Sequence, residues 1–286
     1  MPDRKQPPTI RLRRFAAEIL RLRKEAGLTR EEVTEQTKIN NATLYRLETA
    51  RVRPQVRTVT TLFELYGVPK AAQDELLALL RDSAQRSWLK TLHGNLSDHY
   101  ASYIGFEAEA EAVWNYESSF IPGLMQTEDY ARDVITGTLP EATPEDIEAL
   151  VSARTQRQAV LRREAPLRLW AIIDEAALRR RVGSSQVRAE QLAHLQELAN
   201  LPNVTLQVIP FEAGAHPGMP GSFVVMKFVE GVGRSVTYID SMAGDLFLEE
   251  EADVSRYTLI FEHLRAVALS PAASIVLIAR CAAEGE

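Results

Sequence analysis

The sequence predicts two unlike domains, a small all-α unit at the N-terminus and a larger α+β unit behind it. Three observations lead there. At 286 residues the chain exceeds the usual size of one domain. Apolar positions recur at helical spacing up to about residue 80, then give way to β-type runs separated by helical stretches. Charge is divided the same way: residues 1–70 hold 15 Lys and Arg against 8 Asp and Glu, a net of +7, and the remainder holds 18 against 31, a net of −13. Because charges act over a Debye length of ~8–10 Å, the overall −6 says nothing against an anionic partner for the first segment.

The predicted layout is a flexible tail over 1–8, a five-helix domain over 9–80, a helical connector over 81–99 and an α+β domain over 100–286. From Thr9 to Gly27, Leu12, Phe15, Ile19 and Leu22 form one apolar stripe, and Gly27 stops the helix. Thr29-Arg30-Glu31-Glu32 is a capping box that opens a second helix ending near Thr37. Two residues later Asn40 caps a third helix that buries Leu44 and Leu47. A fourth is expected from about Thr58 to Tyr66 and a fifth from Lys70 to about Leu89. Beyond residue 100, strands are expected at Ala112–Tyr116, Leu167–Ile173, Val204–Ile209, Ser222–Phe228 and Val236–Ile239, with Gly231-Val232-Gly233 as a hairpin turn. Helices are expected at Thr127–Thr136, Pro144–Arg163, Ser185–Ala199, Glu249–Ala268 and Ser270–Ala282.

The set Leu28-Thr29, Val33, Ile39-Asn40, Leu44, Leu47-Glu48 and Pro54 resembles the helix-turn-helix family of lambda repressor and the xenobiotic-response-element regulators. The resemblance covers about 60 residues and implies that the third helix lies in the major groove of double-stranded DNA. By position in that pattern Asn41, Ala42 and Arg46 face the bases, where a bidentate Asn–adenine or Arg–guanine pair contributes roughly 1–3 kcal/mol of discrimination. Arg30, Lys38, Asn40, Thr43, Tyr45, Arg51, Arg53 and Arg57 are expected on the sugar-phosphate backbone, setting register without reading sequence. Glu48 is expected to be structural, tying the end of the third helix to the scaffold. Three residues depart from the family: Lys38 stands in the turn where glycine is favoured, and a left-handed backbone there costs on the order of 1 kcal/mol; Thr34 replaces a small alanine at the helix crossing, and Ala50 a common glycine. The alternative is an interaction module that holds a small partner protein through the acidic domain, with DNA contact secondary.

Residues 114–131, WNYESSFIPGLMQTEDYA, resemble a stretch found after the helix-turn-helix in many actinobacterial regulators whose C-terminal domain has no assigned activity. That resemblance implies a domain that senses a small effector or binds a short companion protein; the helix-turn-helix motif with its +7 segment leads to the expectation of a homodimer on a pseudo-palindromic operator. Trp114, Tyr116, Trp170, His216, Phe223 and Tyr238 are candidates to line an apolar ligand pocket, although aromatic residues on strands serve more often as plain core. Catalysis is not expected: no nucleophile elbow, phosphate-cradling glycine loop or zinc helix is present, and Asp174-Glu175 and Glu249-Glu250-Glu251 stand where helix N-termini attract acid. Neither a cofactor nor a metal is called for. A single cysteine, Cys281, rules out an internal disulfide framework, and an N-terminus without an apolar core leads to the expectation of a cytoplasmic, nucleoid-associated protein with no membrane contact.

Overall fold

The computed structural model describes residues 10–82, 98–229, 235–241 and 244–284. The chain divides into two compact units, the N-terminal helices and the sheet-bearing remainder. The tail over 1–8, most of the connector, the continuation of the fifth helix to Leu89 and the turn at 231–233 lie outside the described residues.

Among the described residues five helices build the first unit: α1 (Ile10–Glu25), α2 (Arg30–Thr37), α3 (Asn41–Glu48), α4 (Val56–Leu65) and α5 (Lys70–Asp82). The apolar stripe of α1 puts Leu12, Phe15, Ala16 and Ile19 inside, against Val33 of α2, Leu44 and Leu47 of α3, and Val59, Leu62 and Phe63 of α4. Each large side chain buried this way contributes about 1.5–3 kcal/mol. At the end of α1 the backbone turns left-handed at Gly27, φ 69°, and the amide of Leu28 reaches back to the carbonyl of Arg23. The fourth helix starts at Val56 rather than Thr58. Its N-cap is Gln55, which makes no side-chain cap hydrogen bond, so no capping residue advertises the start.

The second unit is a six-stranded sheet in the order β3-β2-β1-β4-β5-β6. Its strands are β1 (Ala112–Glu117), β2 (Arg168–Asp174), β3 (Val204–Ile209), β4 (Phe223–Lys227), β5 (Val236–Ile239) and β6 (Leu246–Leu248). β1, β2 and β3 run parallel, and β4, β5 and β6 continue antiparallel. The helices in this unit are α6 (Asp98–Glu109), α7 (Glu128–Thr138), α8 (Pro144–Gln156), the short α9 (Glu175–Arg179), α10 (Ser185–Leu198), α11 (Glu251–Val267) and α12 (Pro271–Ala283). Parallel pairing demands crossovers, which α7 and α8 supply between β1 and β2, and α9 and α10 between β2 and β3.

Alternation along the strands sets the two faces. Tyr116, Ile172, Ile209, Phe223 and Val225 meet Phe261 and Leu264 of α11 on one face. On the other, Tyr103 of α6 packs on Tyr238 with ring centroids 4.4 Å apart, and Phe106 on Phe247 at 5.2 Å. β3 is an edge strand, and the C-terminal segment covers it at Val208: its amide donates to Ser274 Oγ at 2.9 Å and its carbonyl accepts from the Leu269 amide at 2.9 Å.

Three features differ from the sequence expectation. β6, three residues long, and α6 were not anticipated, the second because it begins inside the stretch read as connector. The helix expected over Pro144–Arg163 breaks instead: α8 ends at Gln156 and a 3-10 turn follows over Arg157–Leu161, which lets Arg157 turn inward to Glu107, 3.4 Å away.

Candidate nucleic-acid interface

Helices α2 and α3 are fixed by their caps. The Thr29 amide donates to Glu32 Oε2 at 2.7 Å while the Glu32 amide donates to Thr29 Oγ1 at 3.2 Å, closing the capping box. Asn40 Oδ1 accepts from the Ala42 amide at 2.8 Å, so this side chain is occupied in starting α3. Between the two helices Lys38 is left-handed, φ 62° and ψ 12°, the conformation that the turn requires and that a side chain makes costly. Ala50 repeats the situation after α3, at φ 55°.

Beneath this surface sits a buried ionic hub. The Glu48 side chain is fully buried and accepts from Arg23 Nε at 2.6 Å, Arg23 Nη2 at 3.2 Å and Arg30 Nε at 2.7 Å. The hydrogen bond to Glu48 holds the Arg23 pKa above its ordinary value. Glu48 thus ties α3 to α1 and α2. Arg23 was missed in the sequence, yet it left a signal there: it continues the stripe Leu12, Phe15, Ile19 at the next helical step.

Outward, α3 carries the predicted groove-facing residues. Ala42 and Arg46 are exposed, and Arg46 lies along its own helix with Nε donating to the Ala42 carbonyl at 3.2 Å and Nη2 to Thr43 Oγ1 at 3.4 Å. Asn41 is half-buried because its Nδ2 donates to Glu31 Oε1 at 2.7 Å. Glu31 is a second residue that sequence reasoning missed; nothing in the spacing shows that the first turn of α2 reaches the first residue of α3. The carboxylate is held below the usual range by its own backbone amide and by Asn41.

Around this row lie the cations. Lys38, Arg51 and Arg57 are exposed, and Arg30 and Arg51 approach the Tyr45 ring at 5.1 and 5.4 Å. Arg53 is engaged differently, with Nη2 donating to the Leu80 carbonyl of α5 at 2.8 Å, which commits part of its guanidinium to the scaffold.

In the sheet unit the six candidate pocket residues do not share one site. Trp114, Tyr116, Trp170 and Phe223 pack under α11 around Phe261, with Trp114 stacked on that ring at 5.0 Å. His216 joins them at the strand ends, its ring edge-on to Tyr116 at 6.1 Å. Tyr238 lies on the opposite face, because it pairs with Val224 rather than with the Phe223 register, and donates to Asp245 Oδ1 at 2.9 Å. Period-two alternation decides a residue's face only relative to its partner strand, and that register is not written in one strand's sequence. His216 has both ring nitrogens occupied: Nε2 lies 3.2 Å from Asp174 Oδ2, and Nδ1 accepts from the Gly218 amide at 3.3 Å.

The stretch that carried the second resemblance is a structural hub. Gln126 donates to the Ile121 carbonyl at 2.7 Å and accepts from Arg154 at 3.0 Å; Gln191 donates to the Met125 carbonyl at 2.7 Å and accepts from the Thr127 amide at 2.7 Å. Gly123 makes room for Arg157, whose guanidinium occupies the place a methyl group would take. Burial pushes the Glu117 carboxyl up, opposed by Ser222 and Asn115. A cavity of about 670 Å³ opens beside the start of α10, lined in part by Arg179, Arg181 and Arg188. Two of these are spent on the fold: Arg179 on Glu175 at 2.6 Å and Glu284 at 2.9 Å, and Arg188 on the carbonyls of Leu178 and Cys281. Among the described residues no cluster of His, Cys, Asp and Glu is arranged to hold a metal ion, and no single helix is long and apolar enough to cross a membrane.

Comparison with known families agrees with both resemblances. A helix-turn-helix domain model matches residues 14–76, and the model described as a domain of unknown function (DUF5753) matches residues 100–280. Neither a curated relative nor a solved structure matches the chain. The second model spans more than half of the chain, so the protein belongs to the DUF5753 family, and the helix-turn-helix domain ahead of it makes it a DNA-binding regulator.

Proposed function

We propose that the chain is a sequence-specific transcription regulator of the xenobiotic-response-element type, in which α3 enters the major groove and the C-terminal domain senses an effector or a short companion protein rather than catalysing a reaction. Asn41, Ala42 and Arg46 read base edges. Lys38, Arg30, Arg51 and Arg57 grip phosphates, assisted by Asn40, Thr43 and Tyr45. Two copies bind a pseudo-palindromic operator with half-sites about one helical turn apart, ~34 Å.

One observation carries this reading. Glu48 and Arg23 are sealed inside and hold α3 in place, while Lys38, Arg46, Arg51 and Arg57 are exposed in and near the segments that the docking of α3 requires.

Selection of bound duplexes from a random pool, followed by titration at several salt concentrations, tests it. Arg46→Ala is expected to relax preference at one base pair by about 1–3 kcal/mol. Arg57→Ala is expected to weaken all duplexes alike and to flatten the slope of log K against log salt by about 0.9. Equal binding by the parent chain and both variants overturns the proposal.

A further inference from the structure

Tyr45 stands at the edge of the groove-facing row, 39 % exposed, with two cations over its ring: the Arg30 guanidinium carbon lies 5.1 Å from its ring centroid and that of Arg51 5.4 Å. Both lie within the ~6 Å at which a guanidinium is attracted to an aromatic face. The two arginines arrive from different segments and each is steered by a separate device. Arg30, in the first turn of α2, has its Nε fixed on the buried Glu48 carboxylate at 2.7 Å, which leaves the two terminal nitrogens of the fork to point elsewhere. Arg51 follows α3, and its position depends on the left-handed Ala50: the Arg51 amide closes back on the Arg46 carbonyl at 2.8 Å, folding the chain over the last turn of α3 toward Tyr45. The strain at Ala50 therefore places an arginine.

We infer that Tyr45 acts through its ring, as a spacer that holds Arg30 and Arg51 together as one phosphodiester clamp, and that it is a positioning residue rather than a phosphate ligand through its hydroxyl. This rests on the proposed docking of α3 in DNA and adds to it a division of labour. An arginine side chain free in solvent loses much rotamer freedom on gripping a phosphate. One already leaning on an aromatic face and anchored to a carboxylate loses less, and two such forks held by a common ring engage neighbouring phosphate oxygens as a unit. The phenol oxygen has no part in this, so a phenyl ring serves as well.

The test is titration of the full chain, and of Tyr45→Phe, Tyr45→Leu, Arg51→Ala and the double variant Tyr45→Leu/Arg51→Ala, against its selected duplex over a salt series, with thermal melting of each as the check on folding. Tyr45→Phe is expected to match the parent in affinity and salt slope. Tyr45→Leu is expected to lose about tenfold in affinity and to flatten the slope by about 1–2, because up to two phosphate contacts are loosened, each worth ~0.9. The double variant is expected to fall little below Tyr45→Leu alone, since both changes disable one clamp. Tyr45→Phe failing as badly as Tyr45→Leu, or Tyr45→Leu keeping the parent slope, overturns the clamp while leaving the regulator reading intact. A parent chain that binds no duplex overturns both.

Discussion

Cations meet aromatic rings in both units of this protein, with opposite results. In the first, Arg30 and Arg51 flank Tyr45 on an exposed helix face. In the second, Lys227 lies 3.0 Å from the centroid of Trp114 and Arg265, on α11, 3.7 Å from that of Trp170, over rings that pack in the aromatic layer under α11. Burial, together with the neighbouring Arg265 and Arg168 charges, lowers the Lys227 pKa even though Glu262 opposes them. The same pairing therefore presents charge to a partner in one place and seals a core in the other. What distinguishes them is the anchoring of the ring: Tyr45 sits on a short helix end over a buried carboxylate, and Trp114 and Trp170 stand side by side on paired strands.

That contrast can be broken from either side. The largest effects come from the anchors. Phe261→Ala removes the ring around which the aromatic layer packs and is expected to cost about 3–5 kcal/mol in the sheet unit. Glu48→Ala leaves Arg23 buried without its counter-charge and is expected to cost about 3–5 kcal/mol in the helical unit, with loss of DNA affinity because Arg30 is released too. Calorimetry should show two transitions, each variant lowering its own and leaving the other; a common shift would mean that the units melt as one.

A middle-sized effect tests the hub beside the sheet. Gly123→Ala puts a methyl where Arg157 lies, and overpacking of this kind typically costs about 1–3 kcal/mol. The sheet transition should fall while affinity for the selected duplex stays within twofold.

Lys38→Gly relieves the left-handed strain at an exposed position and is expected to stabilise the helical unit by about 0.5–1 kcal/mol, measured by denaturant unfolding. Ala50→Gly should gain less, since it also gives up a buried methyl. A destabilised Lys38→Gly variant would show that the side chain, not the backbone, governs that turn.

The smallest effect concerns pH. Burial raises the Glu117 carboxyl above its value in the unfolded chain, so the folded state holds the proton longer and stability falls as pH rises from the unfolded pKa through the folded one. Glu117→Gln should remove that decline from the melting-versus-pH curve of the sheet unit; an unchanged curve would assign the decline elsewhere.

How much could be read beforehand follows from the range of the interactions involved. The helices of the first unit are legible because caps and stripes are local: Thr29 with Glu32, Asn40 with Ala42, and Leu12 through Ile19 lie within a few residues of one another. The residues that set the surface in place act at longer range. Arg23 reaches Glu48, 25 positions on, and Glu31 reaches Asn41, 10 positions on, across a turn whose geometry depends on a left-handed lysine. In the second unit the strands announce themselves by β-branched and aromatic runs, but pairing does not. Nothing local tells that β1 sits between a parallel β2 and an antiparallel β4, and so nothing tells that Tyr238 belongs with α6 instead of with Trp114. Arg157, in the 3-10 turn, follows the same rule, because its ionic partner Glu107 lies on another helix.

The closure of β3 limits how copies of this chain can join. With Ser274 and Leu269 already holding Val208, a neighbouring molecule cannot lengthen the sheet on that flank unless the final helix first peels off. The opposite edge of the sheet is β6, so the two borders of the sheet differ in what covers them. Removal of the last helix would instead uncover a ribbon border inviting indiscriminate stacking, so a chain truncated before Ser270 should precipitate.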